Sequence, residues 1–168
     1  YRGRGGYSPC QICSGRPPSA INSGFKSCHC VPVQAEWEGA GMQDVSLELI
    51  VILHRNVLTD AQADLRNISE GNLHQLVFQA NLTDDPFSRA ALAFWSLCAY
   101  PAFREGNRRT AYRLAEEILD SAGCRVNLPC PDVRALVQGI DAFTVEPEDV
   151  EQVFMNAAVP VSPAGSER

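Results

Sequence analysis

Between residues 87 and 100 the chain is apolar nearly all round. Phe87, Ala90, Ala91, Leu92, Ala93, Phe94, Trp95, Leu97, Cys98 and Ala99 leave no polar stripe wide enough to face water. A helix of that kind must be covered on most sides, which predicts a central helix with other helices packed around it. Its start is marked by Asn81-Leu82-Thr83-Asp84-Asp85-Pro86, which offers cap side chains and a proline suited to a first turn. Its stop is Pro101, which has no amide donor and turns the residue before it away from helical backbone. The run has the length of a core helix and falls short of the roughly 20 apolar residues that span a bilayer, so no membrane partner is expected.

Apolar spacing predicts further helices over 44–56, from 60 through 65, and over 72–80, 107–119, 132–143 and 147–157. The segment 107–119 should close at Gly123, a residue suited to a left-handed C-cap. Apart from room for a short hairpin there is no alternating strand pattern, so the expected fold class is all-α. At 168 residues and 45% hydrophobic the chain can bury one core.

Character changes near residue 42. Residues 1–41 hold seven of the twelve glycines and four of the eleven prolines and lack helical periodicity. Residues 42–168 carry ten basic and eighteen acidic side chains. We read 1–41 as an irregular leader, 42–159 as the folded domain and 160–168 as a disordered tail; Met42, the first methionine, is a candidate initiator. A net charge of −6 argues against wholesale nucleic-acid binding, which needs a basic face. Nothing near Tyr1 joins a basic start to an apolar run, so no secretory signal is seen.

Seven cysteines fall into two groups. Cys98, Cys124 and Cys130 sit within or beside apolar segments, where a reduced cysteine behaves as a small hydrophobe, and the odd total speaks against a disulfide framework; a reducing cytoplasm is the expected compartment. Cys10, Cys13, Cys28 and Cys30 have the ligand types of a tetrahedral zinc site, with an atypical Cys-x-Cys second half. Two readings stand for the leader: a zinc-binding stretch, or a disordered or not natively translated one, which we favour.

The chemistry lies in the turn after the central helix. Phe103-Arg104-Glu105-Gly106-Asn107-Arg108-Arg109 puts three arginines at a helix start, where the macrodipole disfavours cations. An anion would offset this, because first-turn amides, a glycine that lets backbone approach closely and guanidinium forks make a phosphate cradle. Glu105 can add a divalent ion that bridges the phosphates, as magnesium is commonly held by one or two carboxylates plus substrate oxygens. The alternative is that the arginines lie on a solvated face.

The run from Pro101 to Ala111 resembles the signature of the Fic/Doc superfamily, His-x-Phe-x-Asp/Glu-Gly/Ala-Asn-Gly/Lys-Arg-Thr. The apolar 49–53 stretch and Asp64-Leu65-Arg66-Asn67 are similar to the start of Doc-like members, so the likeness covers most of 42–125. It implies a helical bundle whose central helix feeds a phosphate-binding loop and helix. It also implies transfer of a phosphoryl or adenylyl group from a nucleoside triphosphate, with ATP and magnesium expected, to a Ser, Thr or Tyr hydroxyl of a protein substrate. That makes the chain a phosphotransferase or nucleotidyltransferase of the AMPylating type, and for Doc-like members a toxin paired with an antitoxin. By the same likeness Phe103 anchors the motif in the core, Glu105 holds magnesium, Gly106 and Asn107 form the anion nest, and Arg109 holds phosphate. Arg108 stands where Fic proteins have glycine and Doc has lysine, a Doc-like feature. Tyr112 stands where the longer Fic pattern has a second arginine, and Arg113 follows it.

The departure is at the first motif position, where the family's proton-accepting histidine is replaced by Pro101. Tyr100 beside it is a phenol with a reference pKa of about 10, a weak base near neutrality. His54 and His74 are remote in sequence. The likeness therefore admits two functions: a transferase impaired by loss of the base, or a catalytically inactive nucleotide-binding or protein-interaction module of the same fold.

Overall fold

Side chains just outside the helices set where the first three begin. The computed structural model describes residues 42–58 and 68–161. In it the Ser46 hydroxyl accepts the Leu49 amide at 3.1 Å and opens α1 (Leu47–Val57). The Ser69 hydroxyl accepts the Asn72 amide at 3.3 Å and opens α2 (Glu70–Asn81). The Asp85 carboxylate accepts the Ser88 amide at 2.8 Å, ahead of α3 (Pro86–Ala99) with its proline in the first turn. Then follow α4 (Asn107–Ser121), α5 (Cys130–Asp141) and α6 (Pro147–Ala157), the last opened by the Glu146 amide donating to Asp149 at 2.9 Å. These residues belong to one unit, Trp37–Arg168.

The apolar run forms the hub. Helix α3 packs against α2, α4, α5 and α6, and Ala90, Ala91, Ala93, Phe94 and Leu97 are fully buried. The alanines let the neighbouring backbones come close, while Phe94 meets the edge of Phe154 from α6 at 5.7 Å. From α4 the chain contributes Ala111, Leu114, Ala115 and Ile118, the i, i+3, i+4, i+7 stripe of an amphipathic helix.

One charged side chain lies inside this hub. Arg89 is 4% exposed, and a buried guanidinium must find acceptors. It donates to the carbonyls of Thr83 at 3.0 Å and Gln43 at 3.1 Å, with Asp44 at 3.7 Å. Asn81 ties down the same segment by exchanging hydrogen bonds with the Val45 backbone at 2.9 and 2.8 Å. Arg89 is thus the internal clip that fastens the chain leading into α1.

The described residues are mostly helical, as expected, with one small antiparallel ribbon beside the six helices. Strand β1 (Cys124–Val126) pairs with β2 (Ala158–Pro160), Arg125 opposite Val159, and the Val161 amide donates to Gly123 at 2.9 Å. Three residues are too few to show a period of two, and the partners are separated in sequence by α5 and α6. Pairing so carries regular structure past residue 159, into the segment expected to be a tail. Gly123 itself has φ of +78°, the left-handed conformation expected after α4. The helix expected from 60 to 65, the leader 1–41 and its cysteines Cys10, Cys13, Cys28 and Cys30 lie outside the described residues. Among the described residues no helix is long and apolar enough to cross a membrane.

Candidate functional site

The turn between α3 and α4 is held by Asn107. Its side-chain carbonyl accepts the amides of Ala102 at 3.0 Å and Phe103 at 2.9 Å, and its amide group donates back to the Phe103 carbonyl at 2.7 Å. The outer side of the turn is fastened to the start of α2: Ile68 and Ser69 amides donate to the Ala102 carbonyl, and the Asn72 side chain donates to that of Pro101. Ala102 and Phe103 are consequently buried. What Asn107 has left to offer an anion is its backbone N–H, because its side chain is consumed by the turn.

Gly106 completes the turn with φ of +76°. A Cβ there would stand 3.0 Å from Leu58 Cδ2 and 3.4 Å from His54 Cε1, so conformation and space both call for glycine. The helix it leads into has no side-chain N-cap, which leaves the first-turn amides of Asn107, Arg108 and Arg109 without a capping acceptor.

Phe103, Glu105, Gly106, Asn107, Arg108 and Arg109 line one open cleft of about 490 Å³, together with Cys98, Pro101 and Asp141. Glu105 and Arg109 are exposed, and Arg109 has no ion-pair or hydrogen-bond partner among the described residues. Arg108 reaches across to Asp141 at the end of α5, 2.6 Å away. Both partners are well exposed, so the pair contributes only about 0 to 1 kcal/mol and Arg108 can leave it for a better acceptor. The Cys98 thiol in the wall is pushed up to about 12 by burial, against the pull of Arg108, and is a protonated, inert group at neutral pH.

Behind the turn stands His54. Its ring is 1% exposed, stacks on Phe103 with centroids 3.7 Å apart and planes 9° apart, and brings Nδ1 within 3.1 Å of Thr110 Oγ1. Its Nε2 is buried without a hydrogen-bond partner among the described residues. Burial, and next the Arg109 cation, lower its pKa below the usual imidazole range. The folded state therefore takes up this proton later than the unfolded chain does. Stability from this group is present above the unfolded pKa of about 6.5 and is lost as pH falls below it, with a slope of at most about 1.4 kcal/mol per pH unit. Urea midpoints measured from pH 7 down to pH 5 should fall accordingly. A His54→Leu chain should lose that part of the slope; an unchanged slope would assign the acid sensitivity elsewhere.

The other candidates sit apart from this chemistry. His74 is exposed on α2, and Tyr100 packs edge-on against Trp95 at 5.8 Å. Tyr112 is held by the Leu128 amide, with burial raising its pKa, and Arg113 pairs with Glu116 at 2.6 Å along α4. Asp141 is a residue of the site that sequence reasoning passed over, and His54 is one that it set aside as remote in sequence. Asp141 carries no local signal. His54 does carry one, since it shares the inward face of α1 with Ile50 and Leu53, a place where a polar ring needs a reason.

No protein-family model and no curated protein matches this chain.

Proposed function

We propose that the cleft binds the phosphates of a magnesium nucleoside triphosphate, ATP foremost, and that the chain is a Fic/Doc-like domain of the Doc branch. The observation that carries this reading is the convergence, on one cleft, of an uncapped helix start, a left-handed glycine, an exposed Glu105 and an Arg109 without a partner among the described residues. The amides of residues 107–109 and the helix dipole favour an anion, and the Arg109 fork grips its oxygens. Glu105 would hold magnesium, which would neutralise part of the phosphate charge. A central helix, a tight turn and a second helix in this order are also what the Fic/Doc likeness calls for.

Proton transfer is the weak point. Among the described residues lining the cleft there is no histidine, Pro101 stands at the motif position, and the Cys98 thiol is protonated. This favours the second reading within the same fold: a cytoplasmic nucleotide-binding or protein-interaction module in which transfer to a Ser, Thr or Tyr hydroxyl is slow or lost, while contact with an antitoxin-like partner survives. Calorimetry with magnesium-ATP tests the site itself. Arg109→Ala should weaken binding about 10- to 100-fold, from the roughly 1.5 to 3 kcal/mol of a charge-assisted contact, and Glu105→Ala should remove the dependence on magnesium. Equal affinity in all three proteins would leave the arginines on a solvated face.

A further inference from the structure

The Gly106 carbonyl is held twice. It accepts the Thr110 amide at 2.9 Å and the Thr110 hydroxyl at 2.9 Å. That carbonyl shares one rigid peptide plane with the Asn107 N–H, and the two point in opposite directions. Pinning the carbonyl inward along α4 therefore aims the Asn107 N–H outward from the helix start.

The Thr110 hydroxyl has a single proton, and it goes to Gly106. With that proton on the nearer carbonyl, at 2.9 Å against 3.1 Å to His54, the hydroxyl oxygen accepts from the ring, and Nδ1 is assigned the ring proton. Nε2 is then the bare nitrogen, which agrees with its burial without a partner. The ring is fixed from its other side by the stack on Phe103, itself held by Asn107. His54 thus touches both halves of the turn.

From this we infer that His54 is a positioning residue for the anion site: as the neutral Nδ1–H tautomer it holds the Thr110 hydroxyl on the Gly106 carbonyl, and so sets the direction of the first amide donor. It acts through Thr110 and does not touch the ligand. The inference rests on the polyphosphate reading for its purpose, though the tautomer itself does not.

The test uses the full chain and inorganic tripolyphosphate as the probe. Long-range proton–nitrogen correlation spectra of the histidine rings should show His54 protonated at Nδ1 and bare at Nε2, and Thr110→Val should abolish that signature. In calorimetry, His54→Leu and Thr110→Val should each weaken tripolyphosphate binding about tenfold, roughly the worth of one hydrogen bond in a preorganised site. The double variant should lose no more than either single one, since both cut one chain of contacts. His54→Asn, whose side-chain amide can reach the place of Nδ1, should recover most of the affinity, which a purely space-filling role would not predict. An Nε2–H ring in the wild-type protein overturns the inference, as does wild-type affinity in folded His54→Leu. Absence of tripolyphosphate binding in the wild type, with the Nδ1–H signature present, sinks the phosphate site and leaves the His54 to Gly106 relay standing.

Discussion

Replacing Pro101 by histidine is expected, on the transferase reading proposed above, to raise the rate of group transfer from magnesium-ATP to protein hydroxyls by roughly 10² to 10⁴, the usual contribution of one placed general base. The position suits the experiment. Pro101 is exposed, lines the cleft beside Glu105 and Arg109, and uses only its carbonyl, which Asn72 holds at 3.1 Å. Histidine keeps that carbonyl and adds an N–H that an exposed residue can give to water. Positioning and charge stabilisation would already be supplied by the turn, so the new imidazole has only to accept the hydroxyl proton. Labelling of lysate proteins with radiolabelled nucleotide measures the effect, with Pro101→Gln as the polar control. A rise shared by glutamine would point to relief of the proline backbone, and no rise with histidine would mean that the cleft lacks the alignment for transfer.

The second large effect falls on Asn107. Removing its side chain in Asn107→Ala breaks three hydrogen bonds and leaves the Ala102 and Phe103 amides, in a buried turn, without acceptors. Unmet buried groups cost about 1 to 3 kcal/mol each, so urea denaturation should show a loss of roughly 2 to 5 kcal/mol. Phosphate binding should fall with it, because the same turn carries Glu105 and Gly106. Asn107→Asp keeps both acceptors and loses only the donation to the Phe103 carbonyl, so it should unfold closer to the wild type while its added negative charge opposes the phosphates. A midpoint for Asn107→Ala within experimental error of the wild type would show that the turn is held by Ile68, Ser69 and Asn72 alone.

These two residues mark how far the site was legible beforehand. The pattern around Phe103 to Arg109 identified the turn, its glycine and its arginines, because a turn leading into a helix is built from consecutive residues. The same pattern grouped Asn107 with the anion-binding positions, whereas its side chain holds the turn and its backbone faces the cleft. A motif reports which residue stands at a position and is silent on whether its side chain or its main chain does the work.

Chain pattern alone settled the helices from α1 to α6, the proline stop after α3 and the left-handed glycine at 123, because periodicity, caps and φ preferences act over about four residues. Tertiary structure decided the rest: Arg89 satisfied inside the hub, β1 finding β2, Asp141 meeting Arg108 across 33 residues, and His54 meeting Thr110 across 56. Contacts at such separations leave no mark on neighbouring positions. They exist because burying the apolar faces of α3 and α4 brings distant backbones together, and each polar group trapped there takes the partner that packing places within reach.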